Sequence, residues 1–254
     1  METKGMTRRD LFRFTTASGA AAAGGLNLGL GGPRAAAAAD DTSTPDKALQ
    51  ALVNGNARFL AHNMTSFNED QNLINNGIPE SHEPFAAILS CGDARLSPEV
   101  VFDQVMGDLF ILRVAGNIAT PEMIASLEFA VVVLNVRLIM VLGHGSCAAV
   151  AATDRRTVVE KTQISVLYAP LRIAVETAGP GASFDAKAAL NAKVQAALVQ
   201  NSSRLIAERV GAATLRVVPA YYNLVPTPPG PPPGGAPNGR VDILPSYPLT
   251  PAAP

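Results

Sequence analysis

RLIMVLGHGSC, residues 137–147, runs an apolar segment into a small-residue turn that carries one of the chain's three histidines, His144, and one of its two cysteines, Cys147. An apolar run of this length that ends at glycine predicts a strand buried on both faces of a parallel sheet. Three more runs have the same character: FAAILS (85–90), DLFILRVAG (108–116) and TLRVVPAYYNL (214–224). Between them stand helix openings, each with a capping residue, proline and an acidic residue: Ser97-Pro98-Glu99 and Thr120-Pro121-Glu122. Alternation of strand and helix predicts an α/β fold, a mainly parallel sheet of four strands flanked by helices. VDIL (241–244) adds an antiparallel edge strand, reached through the insertion 226–239, which is too rich in Pro and Gly to pack.

Working outward, Thr44-Pro45-Asp46 opens a first helix with Leu49, Leu52, Val53, Phe59 and Leu60 on one face, predicted to end near His62 to Met64. Two further helices are predicted near Gln163–Thr177 and Asp185–Glu208, divided by Gly179 and Pro180. The last residues, 245–254, are predicted to be a flexible tail. With 254 residues, 48% hydrophobic, and a formal net charge of -1, the chain has enough apolar material for one substantial core and little electrostatic attraction for nucleic acid.

The N-terminus reads as something other than fold. Arg8 and Arg9 precede an apolar, Ala/Gly-rich run from Thr15 to Leu30 that closes on Ala35–Ala39. That is the pattern of a twin-arginine signal peptide over residues 1–39, with the single domain covering 40–254. The run falls short of the ~20 apolar residues that spanning needs, so no membrane anchor is expected after cleavage. The expected location is the periplasm or the exterior.

Cys91 ends the first strand run, and His144 and Cys147 follow the third, so all three fall at the carboxyl ends of parallel strands, where an open α/β sheet gathers its ligands. Two thiolates and one imidazole make a three-ligand set for zinc that leaves one tetrahedral position open, as a catalytic site requires. His62 falls at a helix end and His82 in a loop, and neither is expected to complete a closed site. In CGDAR (91–95), Asp93 and Arg95 share the stride of Cys91. The carboxylate could bind the ion or accept a hydrogen bond from its water, and the guanidinium could hold it in the second role. Two plainer readings stand beside these: a Cys91–Cys147 disulfide in an exported protein, and an ordinary turn salt bridge.

CGDAR followed some fifty residues later by HGSC resembles the CxDxR and HxxC pair of the β-class carbonic anhydrases. The likeness continues through SPEVVFDQVMGDLFILRVAGN (97–117) and SLEFAVVVLNVRLIMVLGHGSCAAV (126–150), and covers roughly Asp46 to Leu244. The resemblance implies one zinc per chain on Cys91, His144 and Cys147. It makes Asp93 and Arg95 a catalytic dyad, with Asp93 as a fourth metal ligand in some resting states. It implies reversible hydration of carbon dioxide to bicarbonate and a proton through a zinc-bound hydroxide. For so small and apolar a substrate a few aliphatic walls suffice, and Val114, Ala115 and Gly116, after the second strand, are the candidates. The resemblance also implies assembly as a homodimer or a multiple of dimers, the first helix wrapping a partner or packing on its own sheet. Hydrolysis of carbonyl sulfide or carbon disulfide, and non-catalytic binding of zinc or bicarbonate, are the alternatives. Two departures stand out: Ala148 where the family usually has Gly, and His82 where it often has Gln.

Overall fold

Two strands with no exposed residue form the centre of the molecule: β1 (Ala86–Ser90) and β3 (Leu138–His144). They pair in parallel, with β2 (Leu109–Arg113) outside β1 and β4 (Arg216–Tyr222) outside β3. A short antiparallel strand, β5 (Val241–Ile243), closes the far edge, so the order is β2-β1-β3-β4-β5. This computed structural model describes residues 40–78, 82–224 and 238–247. The predicted signal segment, residues 226–237 of the insertion and residues 248–254 of the tail lie outside them.

The period of two along each strand sorts the core into two layers. Ala86, Ile88, Leu138, Met140 and Leu142 face one way, against Leu52, Phe102 and Leu171. Ala87, Leu89, Ile139 and Val141 face the other way, against Leu127, Val131 and Ile206. Both faces are covered, which is why the central strands read as unbroken apolar runs.

Helix α1 (Pro45–Leu60) begins as its sequence dictates: Thr44 Oγ1 accepts the Lys47 N–H at 3.3 Å and proline occupies the first turn. It ends at Leu60, two residues before the predicted limit, and His62 takes a positive φ of 53°. Of its apolar face, Leu52 lies in the core and Leu49 packs against it, while Val53 is exposed. Buried Asn56 ties this helix to the sheet edge, donating to the carbonyls of Val101 and Gly239 and accepting the Val241 N–H at 2.9 Å.

Helix α2 (Ser66–Asn76) was not predicted from the sequence, because SFNEDQNLINN lacks an apolar stripe. A carboxylate from elsewhere starts it: Asp103 accepts the N–H groups of Thr65 and Ser66 and pairs with Arg58. The short α3 (Pro98–Val101) and α4 (Pro121–Val132) begin at their predicted prolines, but neither Ser97 nor Thr120 makes the side-chain cap hydrogen bond that the sequence suggested. The run predicted as strand to Gly116 leaves the sheet after Arg113 and turns through a 3₁₀ segment, Ala115–Asn117, where Gly116 has φ 78°. Helix α5 (Ala148–Asp154), also not predicted, starts at the residue after Cys147.

Helix α6 (Tyr168–Ala178) ends at Gly179. The predicted single helix over 185–208 is two: α7 (Phe184–Ser202) and α8 (Arg204–Gly211). Ser203 breaks them with extended backbone (φ -119°, ψ 113°), its hydroxyl accepting the Ile206 N–H and donating to Glu128. A serine that caps the next helix competes with continuation of the previous one.

Candidate metal centre

Parallel pairing sets β1 and β3 side by side, so the residues that follow their carboxyl ends meet. Cys91 is the first residue after β1, His144 the last of β3, and Cys147 the N-cap of α5. Their ligand atoms all lie within 4.8 Å of one another, and all three residues are buried. Both cysteines are free thiols. No other group of three such residues that could hold an ion is found among the described residues.

The turn between the ligands is tightly specified. Gly145 N–H donates to the Tyr222 carbonyl at 3.0 Å, carrying the β3–β4 pairing one residue past the strand. A Cβ on Gly145 would stand 2.5 Å from the Leu224 carbonyl oxygen, so only glycine fits. Ser146 adopts a positive φ of 54°, and its N–H is held by Asp185 Oδ1 at 2.9 Å. On the facing side, Gly116 N–H points at Cys91 Sγ at 3.3 Å.

His144 Nδ1 lies 2.8 Å from the carbonyl oxygen of Gly145. A carbonyl only accepts, so Nδ1 carries the hydrogen and Nε2 presents a lone pair. That Nε2 is buried without a hydrogen-bond partner. A buried acceptor beside two thiols suits a metal ligand, and a carbonyl on the opposite nitrogen is the usual way of fixing its tautomer. The donor set fits zinc: two sulfurs and an imidazole nitrogen, with one tetrahedral position left over.

The electrostatics agree with a site built for a cation. Hydrogen bonding with Cys147, opposed by burial, draws the Cys91 thiol down, with His144 and the Gly116 N–H assisting. Cys147 is pushed up by its contact with Cys91 and by burial. Two adjacent sulfurs cannot both ionise cheaply in a buried site unless a cation sits between them. Burial would lower the His144 imidazole, yet the Cys91 sulfur, the Gly145 carbonyl and Asp93 together outweigh it and raise the group.

Asp93 stands at the edge of this cluster with its carboxylate turned to Arg95, which donates from Nε to Oδ1 and from Nη2 to Oδ2. The side chain and backbone N–H of Arg95, with His144 nearby, hold Asp93 well below the usual carboxylate range. The close group of ligand atoms comprises Cys91, His144 and Cys147, and Asp93 is outside it.

A family model described as carbonic anhydrase matches residues 86–227, more than half of the chain. The carbonic anhydrase of Mycolicibacterium smegmatis is 33% identical over 192 residues, covering 72% of this chain and 90% of its own length. The chain belongs to the β-carbonic anhydrase family. Carbonic anhydrase 2 of Mycobacterium tuberculosis is 41% identical over 114 residues, 43% of this chain and 53% of that protein. Among solved structures, a Coccomyxa β-carbonic anhydrase in complex with acetazolamide superposes with TM-score 0.55 at 23% identity, covering 77% of this chain and 86% of that one. A tetrameric β-carbonic anhydrase from Sordaria macrospora gives 0.57 at 20%, covering 78% and 95%. At such identities these two speak for the fold. β-Carbonic anhydrases use zinc, the metal that this donor set suits.

The two departures from the family pattern lie on exposed residues. Ala148 is the first residue of α5 and is exposed, so its methyl has room and no unusual backbone is needed. His82 is exposed and does not join the ligand cluster. Arg113 is a site residue that the sequence reading missed. It donates to the carbonyls of Cys91 at 3.1 Å and Asp93 at 2.6 Å, clamping the CGDAR backbone. The signal was a lone cation at the end of an apolar strand, in register with Ser90.

Proposed function

We propose that this member of the family catalyses the reversible hydration of carbon dioxide to bicarbonate and a proton, with zinc held by Cys91, His144 and Cys147. One observation carries the reading: two free thiols and an orphaned imidazole Nε2 converge within 4.8 Å at the mouth of a parallel sheet. When bound, the metal supplies the Lewis acidity that makes hydroxide available near neutrality.

The chain's own residues do the rest. Arg95 keeps Asp93 ionised, so its carboxylate oxygens only accept hydrogen bonds at neutral pH. A water placed against such an acceptor has its hydrogen fixed and its lone pair free to meet the substrate carbon. Arg113, anchored on the backbone of residues 91 and 93, holds that acceptor at a constant distance from Cys91. Carbon dioxide is small and uncharged, and the segment Val114–Gly116 beside Cys91 offers a short aliphatic wall. The proton released leaves to buffer.

Arg8 and Arg9, followed by an apolar run and the small residues Ala35–Ala39, support export by the twin-arginine route, folded and metal-loaded, to the periplasm or beyond. Assembly as a dimer or multiple of dimers is supported by apolar surface left on α2 and after it, with Phe67 70%, Ile74 60% and Ile78 62% exposed. Stopped-flow hydration of carbon dioxide by the zinc-loaded protein tests the function. Catalysis well above the buffer rate is expected. A sample with one zinc per chain and no hydration, or with sulfide release from carbonyl sulfide in its place, contradicts it.

A further inference from the structure

Helix α7 carries a stripe that its composition conceals. Lys187, Asn191 and Gln195, spaced by four, share one face of the helix, and all are buried, the last two completely. Lys187 is accounted for by its ion pair with Asp154 at 2.7 Å. The two carboxamides belong to a different structure.

They form a chain of hydrogen bonds with one direction. Ala119 N–H donates to Gln195 Oε1 at 2.8 Å. Gln195 Nε2 donates to the Pro170 carbonyl and to Asn191 Oδ1, both at 3.0 Å. That leaves Asn191 with its Nδ2 facing outward, and it donates to the Gly116 carbonyl at 2.8 Å. Because Ala119 only donates and the Pro170 and Gly116 carbonyls only accept, neither amide can be flipped without breaking the chain. Gly116 is therefore held from its carbonyl, in a positive-φ conformation, while its N–H meets Cys91 Sγ at 3.3 Å.

We propose that Asn191 is a positioning residue of the metal centre: through Gly116 it aims an N–H at the Cys91 sulfur and so sets how strongly that sulfur donates to the bound ion. The inference rests on the metal site proposed above. An N–H directed at a thiolate withdraws electron density from it and fixes its orientation, and partners of this kind govern both the affinity of a metal and its electronic character. Gln195 acts one step further back by fixing the orientation of Asn191.

Cobalt(II) in place of zinc reports on this directly, because its sulfur-to-metal charge-transfer absorption follows sulfur donor strength, whereas a purely structural lesion lowers the melting temperature and leaves the band in place. The full-length protein is loaded with cobalt as wild type, Asn191→Leu and Gln195→Met, and zinc affinity is measured by chelator competition. Asn191→Leu is expected to shift the band and to weaken zinc about tenfold. Gln195→Met is expected to shift the band in the same direction by less, and it stands as the test if Asn191→Leu does not fold. A folded variant with the wild-type band and wild-type zinc affinity overturns the proposal, whatever its melting temperature. A wild-type protein that binds neither metal overturns the metal site itself, which separates the two failures.

Discussion

Arg95 grips Asp93 through two parallel hydrogen bonds, Nε to Oδ1 at 2.9 Å and Nη2 to Oδ2 at 2.7 Å, while its backbone N–H takes Oδ1 as well. The pair is local, two residues apart, and it sits where β1 has delivered Cys91 to the metal centre. Its geometry holds the Asp93 carboxylate on Arg95, outside the close group that Cys91, His144 and Cys147 form.

Asp93→Asn removes the charge and half of the acceptor capacity without touching a sulfur or the imidazole. Zinc content is expected to stay at the wild-type level while hydration falls by about 100-fold. Metal analysis and stopped-flow kinetics on one sample check both. Wild-type rates would remove Asp93 from the mechanism.

Gly145→Ala is expected to disturb the centre from behind. The added methyl would press on the Leu224 carbonyl oxygen and the Tyr221 hydroxyl, and overpacking of this kind costs about 1–3 kcal/mol. A lowered melting temperature and a weaker zinc affinity are expected together. An unchanged affinity would show that the turn yields without moving Cys147.

Asp103 supplies the pH dependence. Burial works against its ionisation, but Arg58 and the N–H groups of Thr65 and Ser66 outweigh that and lower its pKa. A depressed carboxylate contributes stability that is complete above the unfolded-state value of about 3.9 and is lost as pH falls below it. Asp103→Asn should therefore cost about 2 kcal/mol near neutrality and much less in stronger acid. Chemical denaturation of both proteins at several pH values reads the difference. A gap that stays constant down to the acid limit would contradict the assignment.

Ser203→Ala removes the cap between α7 and α8, since the hydroxyl accepts the Ile206 N–H at 3.2 Å. A loss of about 1 kcal/mol is expected, measured by denaturant titration, with zinc affinity unchanged.

The sheet was legible in the sequence because β1 and β3 are covered on both faces, which forces unbroken apolar runs. The clustering of Cys91, His144 and Cys147 was legible because they sit at strand ends, where topology brings distant residues together. What escaped depended on partners remote in sequence. Helix α2 begins at a carboxylate donated by Asp103, and nothing within SFNEDQNLINN announces it. The break at Ser203 depends on capping and on Glu128, seventy-five residues away. Asn191 and Gln195 look like ordinary polar residues of an Ala-rich helix until the 3₁₀ turn at Gly116 is packed against them. Arg113 likewise gains meaning only when β2 lies beside β1.

X-ray absorption at the zinc edge on the purified protein tests the central claim most directly. The account predicts about one zinc per chain, with two sulfur neighbours near 2.3 Å and nitrogen or oxygen at about 2.0–2.1 Å. Loss of one sulfur shell in Cys147→Ala, if that variant retains metal at all, would fit the same account. A zinc-free protein, or one whose metal has only nitrogen and oxygen neighbours, would contradict it.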